Sequence, residues 1–137
     1  MSAGLEVISP GLMTSVQDRG RFGYQALGIS VSGALDTDSF DIANALVGNK
    51  SGNEAGTGAL EIRMLGPTLK VTVDSVTVAL AGTTTAIEVM APEREVISAC
   101  CSVTLQKGQV FRVGAVSDSA VCYLAVHGGF DLPPIYG

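Results

Sequence analysis

A chain of 137 residues with 47 % hydrophobic and 15 % charged side chains, 17 glycines and a net charge of −5 has the size and composition of one globular domain with a proper core. Its acidic balance argues against a nucleic-acid partner and against an anionic membrane surface, and no apolar run reaches the roughly 18 residues that a membrane span needs. Aromatics are few and Trp is absent, so small and β-branched residues must fill the core, which suits a barrel or sandwich with many tight turns.

The start, MSAGLEVISPGL, has no basic segment followed by an apolar one, so no signal peptide and a cytoplasmic location are expected. Three cysteines, Cys100, Cys101 and Cys122, give neither a disulfide framework nor zinc spacing; they read as reduced and mostly buried. Leu5 to Ile8 reads as a strand stopped by Ser9-Pro10-Gly11, and Leu12 to Val16 as a second extended piece.

Val16 to Ser39 is a long, glycine-rich crossover holding Arg19 and Arg21. A segment this long inside a domain is uncommon unless it binds something or orders a site. Two guanidinium groups beside Gly20 and Gly23 make one reading an anion clamp, with planar forks of donors and close backbone N–H groups. The other reading is a structural crossover whose arginines pair with Asp18, Asp36 or Asp38.

Asp36 to Val47 reads as the one helix. Asp36 is the N-cap, Asp38 suits the positive end of the helix dipole, and Phe40, Ala43, Leu46 and Val47 form an apolar stripe. Asn44 lies off that stripe and is expected to face solvent or bond back to the helix. Lys50 to Gly58 reads as a surface loop prone to disorder or nicking. From Ala59 the period becomes two: 59–65, 68–73 and 76–81 read as a three-strand antiparallel meander, with Glu61 and Arg63 an exposed pair. Ile87 to Met90, Val96 to Ala99, Ser102 to Leu105, Gln109 to Val113 and Ala120 to Val126 continue the series. The last, apolar on both faces except for the Tyr123 hydroxyl, is expected to be central.

Recognisable chemistry is sparse. No glycine-rich loop ends in Lys-Ser/Thr, and no His/Cys/carboxylate set has metal-ligand spacing, so no metal is expected. His127 is the single histidine, read as a packed structural residue or a rim functional group. Gly128-Gly129 offers either oxyanion-binding N–H groups or a simple turn.

The runs VISPGLMTSVQDRGRFGYQALGISVSGALDTDSFDIANALVGN, ALEIRMLGPTLKV and GQVFRVGAVSDSAVCYLAVHGGFDLPP closely resemble the start of the allophanate-hydrolase-subunit-2-like, or biotin-dependent carboxyltransferase, family, which includes the 5-oxoprolinase C-subunit, KipA and a region of urea carboxylase. The matching positions are Gln17, Asp18, Gly20, Arg21, Gly23, Tyr24, Gln25, Ser32, Gly33, Asp36, Asn44, Asn49, Glu61, Gly66, Pro67, Gly128 and Gly129. Residues 83–104 match poorly, and the 50–58 loop is longer than usual. The resemblance implies a mostly-β, cyclophilin-like β-barrel with one helix, residues 1–137 being a single domain equivalent to the family's N-terminal half. It implies a subunit-1-like partner of the KipI or 5-oxoprolinase B-subunit type. It also implies a shared site for amide or urea-type molecules, with ATP or carboxybiotin chemistry on other chains and no cofactor on this one. A half-length chain is then expected to be inactive alone.

In that setting Gln17, Asp18, Arg19, Arg21, Tyr24, Ser32 and Asp36 are the candidate substrate-binding residues. Arg19 or Arg21 would hold a carboxylate, and Gln17, Tyr24 and Ser32 would position it; no catalytic residue is assigned. The alternatives are a non-catalytic regulatory module of the KipA kind and a self-associating homo-oligomeric barrel without chemistry.

Overall fold

The computed structural model describes residues 4–50 and 58–131. The expected 50–58 loop and the Pro-rich stretch after Asp131 lie almost wholly outside the described residues. Within them the chain runs β1 (Leu5–Ser9), β2 (Leu12–Gln17), α1 (Thr37–Leu46), β3 (Ala59–Leu65), β4 (Thr68–Val71), β5 (Ser75–Ala81), β6 (Ile87–Ala91), β7 (Glu95–Ile97), β8 (Ser102–Gln106), β9 (Val110–Val113) and β10 (Cys122–Val126). The mostly-β class with one helix is as expected. The architecture is two five-stranded antiparallel sheets, β1-β4-β9-β6-β7 and β2-β3-β10-β5-β8, rather than one closed barrel.

The meander expected over 59–81 is not formed. β3 pairs with β2 and β10, β4 with β1 and β9, and β5 with β10 and β8, so the chain changes sheet at each turn. Alternation assigns faces correctly but does not choose partners. Gly66 makes the change possible: a Cβ there would lie 2.5 Å from the Val113 Cβ. Gly11, at φ +68°, turns the β1–β2 corner, and a Cβ there would lie 2.4 Å from the Leu65 carbonyl oxygen. The two corners therefore stack backbone on backbone, where only glycine fits.

Between the sheets lie Ile62, Val78, Leu80, Cys122 and Leu124 from one side and Leu69, Val71, Ile87, Val89, Phe111 and Val113 from the other. A second cluster joins Phe40 and Ala43 of α1, and Val47 at its C-cap, to Ala59, Ala79, Ala81, Val121, Tyr123 and Ala125. The β10 sheet is thus covered on both faces, which is why its central strand is apolar throughout and its helix-facing side is rich in alanine. The Phe40 and Tyr123 rings meet edge to face, 5.8 Å between centroids.

Asp36 caps α1 as expected, its Oδ1 accepting from Ser39 N at 3.1 Å and its Oδ2 from Ser39 Oγ at 2.7 Å. The Ser39 hydroxyl and backbone bonds hold its carboxyl below the usual range. Asn44 is buried rather than off the packed face; its Nδ2 donates back to Phe40 O at 3.3 Å and its Oδ1 accepts from Asn49 Nδ2 at 2.8 Å. The cysteines also depart from expectation. Only Cys122 is buried, while Cys100 and Cys101 are exposed in the turn before β8.

The Thr83-Thr84 break in the sheet is latched by Asp118, which accepts from Thr83 Oγ1 at 2.6 Å, Thr84 N at 2.7 Å and Thr84 Oγ1 at 2.8 Å. These bonds lower its carboxyl from 3.8 to about 2. A carboxylate whose pKa drops on folding contributes stability above its unfolded value and loses it as pH falls through the folded one. Acid unfolding should therefore lose a contribution between about pH 4 and pH 2. Asp118→Asn should flatten the pH dependence of stability in that window; an unaltered dependence would assign the acid loss to other carboxylates.

Candidate functional site

Residues 18–34 leave β2 and return to α1 as a two-limbed finger. The limbs are tied by Ala34 N donating to Asp18 O at 2.8 Å and Arg21 N donating to Val31 O at 2.6 Å. They approach so closely that a Cβ at Gly33 (φ +90°) would lie 2.5 Å from Gly20 N, and one at Gly20 (φ +104°) 2.7 Å from Ser32 O. Asp18 turns back to accept from Gly20 N at 2.7 Å. At the tip, a 3-10 turn over Gln25–Leu27 is closed by the Tyr24 carbonyl, which accepts from Leu27 N at 3.0 Å and Ile29 N at 3.3 Å.

The two arginines have different fates. Arg19 is ion-paired with Asp41 on α1, a partner that the sequence reading did not name, so its charge is spent on tying finger to helix. Arg21 is half-buried and lies along the return limb: Nη2 donates to Ser32 Oγ at 3.1 Å and Nε to Ser30 O at 3.3 Å. The two serine hydroxyls are themselves 2.9 Å apart. Among the described residues Arg21 has no ion pair. The structure therefore brings together Arg21 and Ser32 of the expected set and adds Ser30. Three of the other side chains lead elsewhere: Gln17 Nε2 donates to Ser15 Oγ at 3.1 Å, Asp18 bonds its own turn, and Asp36 caps the helix.

The finger's return end is fixed by a buried carboxylate that the sequence reading placed on the surface. Glu61 is 3 % exposed. Its Oε2 accepts from Leu35 N at 2.9 Å and Tyr123 OH at 2.7 Å, and its Oε1 from Arg63 Nη2 at 3.1 Å. Burial alone would raise the Glu61 pKa, but the Leu35, Tyr123 and Arg63 donors outweigh it and hold the carboxyl below its ordinary value. The Tyr123 oxygen also accepts from Asp36 N at 2.9 Å. Burial and the adjacent Glu61 carboxylate push the phenol well above its ordinary value. The available signal was Tyr123: a lone hydroxyl in a strand covered on both faces needs a buried partner.

Behind the helix C-terminus, His127 Nδ1 donates to Val47 O at 2.7 Å. Gly128 N donates to Asn49 Oδ1 at 2.8 Å and Gly129 N to Val126 O at 2.9 Å. Both glycine N–H groups are engaged, so the pair is a turn and His127 a tether. Among the described residues no group of three or more His, Cys, Asp or Glu could hold a metal ion, and no helix is long and apolar enough to cross a membrane.

The finger and the adjoining helix leave Phe22, Leu27, Leu35 and Ile42 at least half exposed. A guanidinium aimed by a hydroxyl and a carbonyl, with no carboxylate among the described residues neutralising it, suits one anionic group such as a carboxylate, which it can grip through two N–H donors. It offers one cationic fork and no lysine-bearing phosphate loop, so it fits a carboxylate better than a nucleotide triphosphate.

The carboxyltransferase domain, subdomain A and B, matches residues 27–137, which covers the finger's return limb and leaves Asp18–Tyr24 outside the match. The 5-oxoprolinase C-subunit of Escherichia coli is 36 % identical over 133 residues, covering 97 % of this chain and 40 % of that protein. The urea amidolyase of Saccharomyces cerevisiae is 32 % identical over 134 residues, covering 97 % of this chain and 7 % of that one. The solved structure of Kluyveromyces lactis urea carboxylase matches with a TM-score of 0.86 at 34 % identity, over 97 % of this chain and 11 % of that chain. The chain thus spans less than half the length of each of these relatives. Sheets, helix and sequence match agree: the chain belongs to the carboxyltransferase domain family, subdomains A and B.

Proposed function

We propose that the chain is one component of a multi-subunit or multidomain enzyme acting on small amide or urea-type molecules such as 5-oxoproline, and that its finger forms one wall of a shared site. The relatives named as the 5-oxoprolinase C-subunit and urea carboxylase support the enzyme class. The observation that carries the reading is Arg21, held on the finger by Ser32 and the Ser30 carbonyl with no carboxylate partner among the described residues. In this reading Arg21 grips the substrate carboxylate or a carboxylated intermediate, and Ser32 sets the guanidinium plane. Tyr24 shapes the tip, while Arg19 and Asp18 hold the finger in place. ATP-dependent or carboxybiotin chemistry belongs to other chains or domains. The partner is a subunit-1-like protein of the 5-oxoprolinase B-subunit type, meeting the apolar rim of Phe22, Leu27, Leu35 and Ile42.

The test is to assemble the chain with the other subunits of a 5-oxoprolinase-type enzyme and measure ATP hydrolysis dependent on 5-oxoproline. Turnover that requires this chain is expected. A stable complex in which the chain adds no turnover would replace the proposal with the regulatory-module reading.

A further inference from the structure

The turn between β7 and β8 carries two adjacent cysteines, Cys100 and Cys101, both exposed. Cys100 sits at φ +62°, a left-handed conformation that residues with a Cβ adopt at an energetic cost and that clusters at functional positions. Its N–H donates to Leu80 O of β5 at 2.7 Å, so the turn is anchored to the sheet while both side chains remain accessible. Neighbouring Cα atoms across a trans peptide are ~3.8 Å apart, less than the ~4.4–6.8 Å spanned by most disulfides. A bond between these two sulfurs closes a small strained ring, and strained, exposed disulfides are the readily reduced, reversible ones. Cys122 stands apart: burial, with Asp118 nearby, pushes its thiol up to about 12, which keeps it protonated and inert.

We infer that Cys100 and Cys101 form a reversible dithiol site for small-molecule disulfides of the glutathione type. One of the two thiolates attacks a sulfur of the small disulfide, forming a protein mixed disulfide and releasing one small thiolate. The neighbouring cysteine thiolate then attacks the protein sulfur of that mixed disulfide and expels the second small thiolate. The protein pair loses two electrons and two protons, and the small disulfide gains them as two thiols. Excess reduced small thiol drives the exchange backwards.

Trypsin cuts after Arg94 and Lys107, so one peptide, Glu95–Lys107, holds both thiols and Cys122 falls in another. The folded protein is exposed to glutathione disulfide, trapped with iodoacetamide, digested and weighed. The expected result is a 95–107 peptide lighter by two hydrogens and unalkylated, in a chain that remains unlinked to any other. Dithiothreitol should restore two alkylatable thiols. Cys122 should react only after unfolding. Cys100→Ser and Cys101→Ser should each stop at a mixed disulfide on the remaining cysteine. Phenylarsine oxide, which bridges two neighbouring thiols with loss of water, should bind the untreated protein one to one and bind neither variant. A doubly alkylated peptide, a persistent mixed disulfide on the unsubstituted protein, or a disulfide-linked dimer would overturn the inference.

Discussion

Glu61→Ala should lower folding stability by about 2–4 kcal/mol, the cost of leaving two buried donors without an acceptor. The substitution leaves Leu35 N and Tyr123 OH without their acceptor, while Arg63, whose side chain is 39 % exposed, can turn to water. Each unsatisfied buried donor costs about 1–3 kcal/mol. Tyr123→Phe removes one donor to Glu61 and the acceptor for Asp36 N, and should cost about 1–3 kcal/mol. Urea unfolding at neutral pH measures both. Because the two residues share one network, the double variant should lose less than the sum of the singles. A Glu61→Ala loss below about 1 kcal/mol would show that water replaces the carboxylate and that the finger is not pinned there.

Gly33→Ala should open the finger while leaving the sheets folded. The new Cβ would lie 2.5 Å from Gly20 N and 2.7 Å from Arg19 C, both backbone atoms that cannot rotate aside, at a φ of +90°. The combined strain and clash should cost about 2 kcal/mol or more. That cost is expected to appear as local opening, because Gly33 lies outside both buried clusters. Hydrogen exchange at the Arg21 and Ala34 amides, which close the limbs, should accelerate by about thirtyfold, the equivalent of ~2 kcal/mol. Gly28→Ala is the control: its φ is +79° but nothing lies within 4 Å of a Cβ there, so it should cost less. Equal exchange rates in the two variants would contradict the packed-limb account.

What could be read in the sequence was local. The cap at Asp36, the spacing of Phe40, Ala43 and Val47, and the two-sided apolar run through Tyr123 all carry their meaning within a few residues, and the structure has them in place. What could not be read depends on distant partners. The pairing of β3 and β4 with different sheets is made possible by Gly66 meeting Val113. Glu61 reads as a surface charge because its donors Leu35 and Tyr123 lie 26 and 62 positions away along the chain. Arg19 and Arg21 look equivalent until Asp41, 22 positions on from Arg19, takes one of them. The glycine-and-arginine crossover was legible as a candidate site, but which arginine remains available is a fact of tertiary structure.

In the proposed shared site Arg21, and not Arg19, faces the substrate. This is tested most directly by Arg21→Ala in the assembled multi-subunit enzyme, with urea stability and subunit association measured alongside turnover. kcat/KM should fall tenfold or more, about 1.4 kcal/mol of lost transition-state stabilisation, while folding and assembly hold. Unchanged kcat/KM in a correctly assembled complex would contradict it.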